Sequence, residues 1–149
     1  MALRVCVDAS LAIKLVVRES FSDRALNLWQ NWVESGVQPI APPGFPFEVS
    51  SVIRNKYVRN ALIAEEANRA FNVFARLDFV VLMPETLLKE AWDMAKELGL
   101  PTIYDTAYLA LSRPCKCKFW TADEVLINSL QGKLCWVRWI GDEAQAQQQ

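Results

Sequence analysis

Short apolar segments of β-forming residues alternate along this chain with longer segments whose apolar residues recur at the helical period. Five segments predict strands, at 3–7, 37–41, 79–82, 118–121 and 134–140. The segments between them predict helices, at 11–17, 22–35, 45–57, 64–77, 86–98, 102–112 and 123–130. Alternation of this kind places the strands parallel in one sheet and the helices on both of its faces. The sequence therefore predicts an α/β fold with a parallel five-stranded sheet flanked by helices.

Glycine and proline mark the ends of several predicted helices. Gly36 and Gly99 each follow a helical segment, where a left-handed backbone conformation commonly ends a helix. Pro114 is expected to end the helix at 102–112, because proline lacks the N–H that a helix interior needs.

The length and composition suit one domain with one core. The chain has 149 residues, of which 52% are hydrophobic. We expect a single domain over 1–142 and a polar, disordered tail over 143–149. No apolar run reaches the ~18 residues that a membrane-spanning helix needs, and the run at 3–7 is too short for a signal peptide. The sequence therefore predicts a cytoplasmic protein with no membrane partner.

Neither the charge nor the cysteines indicate a function by themselves. The net charge is −1, which argues against nucleic-acid binding unless the acids are concentrated in one site and the bases flank it. Cys115 and Cys117 form a Cys-x-Cys pair, but the chain has no histidine and no second pair. A structural zinc site is therefore short of ligands, and we expect reduced thiols.

Two aspartates follow predicted strands. Asp8 ends the first strand, and Asp123 lies two residues beyond the fourth. Ligands of open parallel sheets bind beyond the carboxyl ends of the strands, at the point where the strand order reverses. If the first and fourth strands are neighbours there, Asp8 and Asp123 face each other. The alternative is that each aspartate only caps the helix that follows it.

Two more acids lie in first helical turns. Glu48 has mostly apolar neighbours, and a carboxylate near a core face is costly unless it is paired or bound to a metal. Asp105 begins a nearly apolar helix that must be buried, so its charged end is expected to point toward Asp8. For both acids the alternative is a carboxylate favoured by the helix dipole.

Four clustered carboxylates predict a site for a divalent cation. Packed like charges repel and raise each other's pKa, and Mg²⁺ or Mn²⁺ relieves the repulsion because both favour carboxylate ligands. Such a site can clamp a phosphodiester and orient a water. Since the chain has no histidine, the acids and the metal must perform the chemistry. The sequence therefore predicts a metal-dependent nuclease with Asp8, Glu48, Asp105 and Asp123 as catalytic residues.

At this point the motifs resemble the PIN-domain ribonucleases, and most closely the VapC toxins of toxin–antitoxin pairs. The matching segments are Val-Asp-Ala-Ser at 7–10, Phe-Glu-Val at 47–49 with Arg54, Leu-Pro at 100–101, Tyr-Asp-Thr-Ala-Tyr-Leu-Ala-Leu at 104–111 and Trp-Thr-Ala-Asp at 120–123. Together they extend over residues 5–137. The sequence departs from the family pattern at 113–118, where relatives often have a turn of small residues.

The resemblance implies roles for individual residues. Asp8 and Asp105 would be the principal ligands of Mg²⁺ or Mn²⁺, with Asp123 completing the metal site directly or through water. Glu48 would bind metal or position the attacking water, and the hydroxyls of Ser10 and Thr121 would orient the carboxylates. The substrate would be single-stranded or loop RNA. Such toxins are usually homodimers held inactive by a cognate antitoxin protein.

Basic residues are candidates for contacts to the phosphates of the substrate. Arg59 lies eleven residues after Glu48 on the third predicted helix, which returns it to nearly the same face. Arg54 lies between them. We predict that these two arginines bind phosphate, although a solvated surface charge is the ordinary role of such residues.

Three other functions are alternatives to a toxin-type ribonuclease. A PIN-like nuclease acting in housekeeping RNA processing or on DNA would share the same acids. A phospho-acceptor signalling domain would need an acidic pair after the first strand and an acceptor aspartate after the third, and the segment Leu-Met-Pro at 82–84 offers none. A catalytically dead binding module would lack some of the four acids, and all four are present.

Overall fold

A computed structural model of the chain describes residues 3–142. The predicted tail at 143–149 lies outside the described residues. Five strands form the sheet: β1 (Arg4–Val7), β2 (Gln38–Ala41), β3 (Val80–Val81), β4 (Phe119–Thr121) and β5 (Val137–Trp139). Seven helices occur in this part of the chain: α1 (Ala9–Val16), α2 (Ser22–Ser35), α3 (Phe45–Val58), α4 (Ala64–Arg76), α5 (Leu87–Leu98), α6 (Tyr104–Cys115) and α7 (Glu124–Leu130).

All neighbouring strands are parallel, in the order β3-β2-β1-β4-β5. The chain builds outward from β1 to β2 and β3, and then returns to the other side of β1 for β4 and β5. The strand order therefore reverses between β1 and β4, where Val7 is in register with Trp120. The expectation that the first and fourth strands are neighbours is confirmed.

The sheet is covered on both faces. Val5, Cys6 and Val7 of β1 are all buried, as are all three residues of β4. Because successive strand residues point to opposite faces, burial of consecutive residues requires cover on both. Helix α6 packs on β1 and β4 and carries α5 on its outer side, whereas α1 contacts β4 and also packs against α2, α3 and α4. The predicted α/β fold is confirmed.

Helix ends follow the predicted glycines, but one proline does not end its helix. Gly36 and Gly99 have φ of 69° and 68° and end α2 and α5. Helix α6 continues through Pro114 to Cys115, so the prediction that Pro114 ends it is wrong. Pro114 lies in the last turn, where a missing N–H costs one hydrogen bond and the chain leaves the helix immediately afterwards.

No helix within residues 3–142 is long and apolar enough to cross a membrane.

Candidate active site

The carboxylate of Asp8 is held by two hydroxyl groups. Asp8 follows β1 directly and is only 6% exposed. Thr121 Oγ1 donates to Asp8 Oδ2 at 2.7 Å, and Ser10 Oγ donates to the same oxygen at 2.8 Å. The Asp8 side chain makes no capping hydrogen bond to α1, so the alternative role as a helix cap does not apply to it. Ser10 and Thr121 orient this carboxylate.

The same hydroxyls join the turn after β1 to the turn after β4. The Ala122 amide donates to Ser10 Oγ at 3.0 Å, and the Asp123 amide donates to Thr121 Oγ1 at 3.0 Å. The two hydroxyl oxygens lie 3.2 Å apart. This network fixes Asp8 and Asp123 on adjacent turns at the carboxyl end of the sheet.

Asp123 has a second, structural role. Its Oδ1 accepts a hydrogen bond of 3.1 Å from the Leu126 amide, so Asp123 caps α7. The alternative prediction that Asp123 caps the following helix is therefore confirmed. The charge of Asp123 also contributes to raising the pKa values of Asp8 and Asp105, so a cap and a member of the acidic cluster are the same side chain.

Glu48 and Asp105 approach the same cluster from two helices. Glu48 lies in the first turn of α3 and Asp105 in the first turn of α6. Burial raises the pKa of Glu48 to about 7, with further contributions from the charges of Asp8 and Asp105. Burial likewise raises the pKa of Asp105 to about 6, helped by the charges of Asp8 and Asp123. The structure thus brings the four predicted acids into one electrostatically coupled group.

The pKa of Asp8 is also raised, and its causes oppose one another. Burial raises it most, the hydrogen bonds from Thr121 and Ser10 lower it, and the charge of Asp123 raises it. A bound cation would relieve the repulsion between these carboxylates.

Tyr108 lies beside the cluster and was given no role by the sequence motifs. Its side chain is 1% exposed, and its hydroxyl makes no well-aligned hydrogen bond in the described residues but lies close enough to the Glu48 carboxylate to affect the pKa of that group. Burial raises its pKa, with contributions from the charges of Asp8 and Glu48, so the hydroxyl stays protonated next to the Glu48 carboxylate. The signal that could have identified Tyr108 is its spacing of three residues from Asp105, which places both on one helical face.

The oxygen atoms of the four acids and their neighbouring hydroxyls are of the kind that bind a hard divalent cation. Carboxylate and hydroxyl oxygens are the available donors, which matches the ligand preference of Mg²⁺ and Mn²⁺. Within residues 3–142, however, no three Asp, Glu, Cys or His side chains are close enough to form a ready-made metal site. The acids would therefore have to draw together around an ion.

The basic residues of α1 and α3 have different partners. Lys14 and Lys56 both pair with Glu19, each at 3.0 Å. Arg54 is exposed on α3 and lies over the Tyr57 ring at 5.4 Å. Arg59 follows the last residue of α3, eleven residues from Glu48, which is roughly 16 Å along a helix. The predicted phosphate contacts of the two arginines stay predictions.

Two solved structures share this fold. PAE2754 from Pyrobaculum aerophilum aligns with a TM-score of 0.62 at 21% identity, over 89% of this chain and 88% of that one. VapC20 from Mycobacterium tuberculosis, a Sarcin-Ricin loop cleaving toxin, aligns with a TM-score of 0.61 at 15% identity, over 84% and 94%. No protein-family model matches the chain, and a search of curated proteins gives no significant match. The chain has the PIN-domain, VapC-like fold that its motifs predicted.

Proposed function

We propose that this chain is a metal-dependent endoribonuclease acting as the toxin of a type II toxin–antitoxin pair. The observation that carries the proposal is the coupled group of Asp8, Glu48, Asp105 and Asp123 at the strand-order reversal of the sheet. Open parallel sheets bind their ligands at this position. The likeness in fold to VapC20, which is a toxin that cleaves the Sarcin-Ricin loop, supports RNA as the substrate.

Three carboxylates would hold the metal. Asp8, Asp105 and Asp123 are the ligands we assign to Mg²⁺, or to Mn²⁺ in its place. When bound, the ion would supply positive charge to the phosphodiester. Ser10 and Thr121 keep Asp8 in one orientation through hydrogen bonds of 2.8 and 2.7 Å, so this ligand is fixed before the substrate arrives.

Glu48 is the group best suited to accept the proton of the attacking water. With a pKa of about 7, it is near the value at which a general base works best at neutral pH. The water oxygen forms the new bond to phosphorus as the bond to the leaving ribose oxygen breaks, and that oxygen takes a proton from solvent. Glu48 takes one proton of the attacking water, and the protonated Tyr108 hydroxyl lies beside its carboxylate.

The proposed biology requires two partners besides RNA. We assign a cognate antitoxin and a second copy of the chain as the partners of a cytoplasmic toxin. Exposed apolar side chains are available for such contacts, among them Phe47 on α3 and Leu88 and Trp92 on α5. Sedimentation velocity of the purified chain, with and without the product of any small open reading frame beside its gene, measures both associations.

The activity is tested by incubating the protein with RNA and with single-stranded DNA in the presence of Mg²⁺, Mn²⁺ or EDTA. We expect cleavage of RNA that EDTA stops. Asp8→Asn and Asp105→Asn should each abolish it, whereas Asp78→Asn, at an exposed carboxyl after α4, should not. Cleavage that survives both substitutions would refute the assignment of the site.

The closest alternative is a PIN-like nuclease of RNA processing or of DNA. If the protein cleaves single-stranded DNA in preference to RNA in the same assay, DNA is its substrate. A nuclease whose expression does not slow growth, and whose activity no neighbouring gene product inhibits, would belong to the housekeeping class.

A further inference from the structure

Two segments in the last third of the chain carry bases and no acids. No Asp or Glu occurs in segments 106–122 and 125–141. These two segments contain the bases Arg113, Lys116, Lys118, Lys133 and Arg138. The acids between them, Asp123 and Glu124, follow the carboxyl end of β4.

A cleft of about 350 Å³ opens among these bases. Its lining includes Arg113, Lys116, Cys117, Lys118, Trp136 and Arg138, and we call it the amino-end cleft. Residues 116–118 directly precede β4, and Trp136 directly precedes β5. The amino-end cleft therefore lies at the end of the sheet opposite the four carboxylates. Asp123 lies five positions after Lys118, which is roughly 16 Å of extended chain.

Three cations of the amino-end cleft, Arg113, Lys116 and Arg138, form no ion pair within the described chain. Arg113 and Lys116 are exposed. Arg138 Nη1 donates to the carbonyl oxygens of Cys135 at 2.6 Å and Val137 at 3.1 Å. These neutral acceptors hold the guanidinium against the cleft and leave its charge in place.

The buried thiol of Cys117 in the lining does not offset this charge. Burial raises the pKa of Cys117 to about 11, so the thiol is neutral at physiological pH. The cleft therefore presents a net positive surface.

At the opposite end of the sheet, four coupled carboxylates repel phosphate in the metal-free protein, and Lys14 and Lys56 are engaged by Glu19. Arg54 on α3 and Arg59 directly after it remain as the predicted phosphate contacts. A second basic surface would add to the attraction of a polyanion, since contacts to phosphates dominate nucleic-acid affinity.

We propose that the amino-end cleft binds the phosphate backbone of single-stranded RNA, as a contact separate from the four carboxylates. The inference rests on the proposed function. The cations come from three elements, α6, the segment before β4, and β5, so that a chain of phosphates can meet more than one of them. Four of the eight residues that line the cleft are cations and none is an acid, which suits a polyanion such as a phosphate backbone.

The test measures RNA binding without cleavage. Full-length protein in EDTA is titrated into a labelled single-stranded oligoribonucleotide at several salt concentrations, and fluorescence anisotropy gives the Kd. The double variant Arg113→Gln/Lys116→Gln removes two cations from exposed positions. The matched control is Arg76→Gln/Lys96→Gln, which removes two exposed cations from α4 and α5. Circular dichroism checks that both variants are folded.

We expect the cleft variant to bind RNA at least tenfold more weakly than the control at low salt. The slope of log affinity against log salt should fall by about 1.4, since each lost phosphate contact to a single strand accounts for about 0.7. Equal affinities and equal slopes in the two variants would overturn the proposal. So would a cleft variant that loses binding of labelled polyglutamate but keeps that of RNA, because the cleft would then belong to an acidic protein segment.

These outcomes are distinguishable from failure of the proposed function. If the wild-type protein binds RNA through the amino-end cleft but does not cleave it with Mg²⁺, the nuclease assignment fails and the binding site stands. If the protein cleaves RNA while the cleft variant binds as tightly as the control, the binding site fails and the nuclease assignment stands.

Discussion

Thr121 Oγ1 donates a hydrogen bond of 2.7 Å to Asp8 Oδ2, joining residues that are 113 positions apart in the sequence. Ser10 Oγ donates a hydrogen bond of 2.8 Å to the same carboxylate oxygen. A carboxylate buried at 6% exposure is costly unless its oxygens accept hydrogen bonds. This pair of hydroxyls therefore makes a charged Asp8 compatible with its position between β1 and β4.

Replacing Thr121 by valine should weaken both the fold and the activity. The change removes a hydrogen bond to a buried carboxylate, which costs about 1–3 kcal/mol, and it raises the pKa of Asp8 further. We expect urea unfolding to show that loss, and RNA cleavage to fall at least tenfold. Thr121→Ser keeps the hydroxyl and should recover most of both. Equal behaviour of the valine and serine variants would show that the hydroxyl has no such role.

Replacing Tyr108 by phenylalanine should move stability and activity in opposite directions. The buried hydroxyl makes no well-aligned hydrogen bond in the described chain, although it lies near the Glu48 carboxylate, so its removal leaves the free energy of unfolding unchanged or raises it by up to about 1 kcal/mol. The hydroxyl lowers the pKa of Glu48, so without it less Glu48 is ionised at neutral pH. We expect a several-fold lower cleavage rate at pH 7 that recovers as the pH is raised. A rate equal to wild type at every pH would contradict this role.

The metal-free protein should lose stability as the pH rises from about 4.5 to 8. The pKa values of Glu48 and Asp105 are raised in the folded state to about 7 and about 6. The folded state therefore binds more protons than the unfolded state in this range, and its stabilisation is lost as the pH passes through these values.

Glu48→Gln removes one of these groups. In EDTA at pH 8 it should raise stability by about 1 kcal/mol, because solvent reduces the effect at a half-exposed carboxyl. This corresponds to an increase in Tm of about 2–4 °C, whereas at pH 4.5 the Tm should barely change. Glu85→Gln, at an exposed carboxyl before α5, is the control, and it should shift neither value. A Glu48→Gln protein with the same pH dependence as wild type would contradict the prediction.

Mg²⁺ should raise the Tm of the wild-type protein at pH 8. An ion that binds only the folded state stabilises it by about 2.7 kcal/mol at a hundred times its Kd. Asp8→Asn should lose most of this increase, and Asp78→Asn should keep it. Differential scanning calorimetry over a range of Mg²⁺ concentrations measures both. An increase of the same size in Asp8→Asn would place the ion elsewhere.

The parts of the fold that follow local patterns could be predicted from the sequence. Strand and helix alternation predicted the parallel sheet, and the positions of Asp8 and Asp123 after β1 and β4 placed them at its carboxyl end. The bounds were less accurate. The third and fifth strands shrink to Val80–Val81 and Val137–Trp139, because pairing with a neighbour decides where a strand ends and apolar composition does not.

Other features depend on contacts that no local pattern contains. The buried hydroxyl of Tyr108 is visible only once α6 is packed against β1 and β4. The bases of the amino-end cleft are scattered over 113–138 in the sequence and converge only in the folded chain. The presence of Pro114 inside α6 could not be predicted either, because a proline is tolerated there only since the chain leaves the helix directly after Cys115.

The hydrogen bond between Asp8 and Thr121 also limits when the proposed active site can form during synthesis. A ribosome must make and release the chain as far as Thr121 before the Asp8 carboxylate meets this hydroxyl and β4 pairs with β1. Contacts of such long sequence separation are slow to form. If the chain is the ribonuclease proposed above, it therefore cannot cleave the RNA of the ribosome that makes it until β4 has emerged.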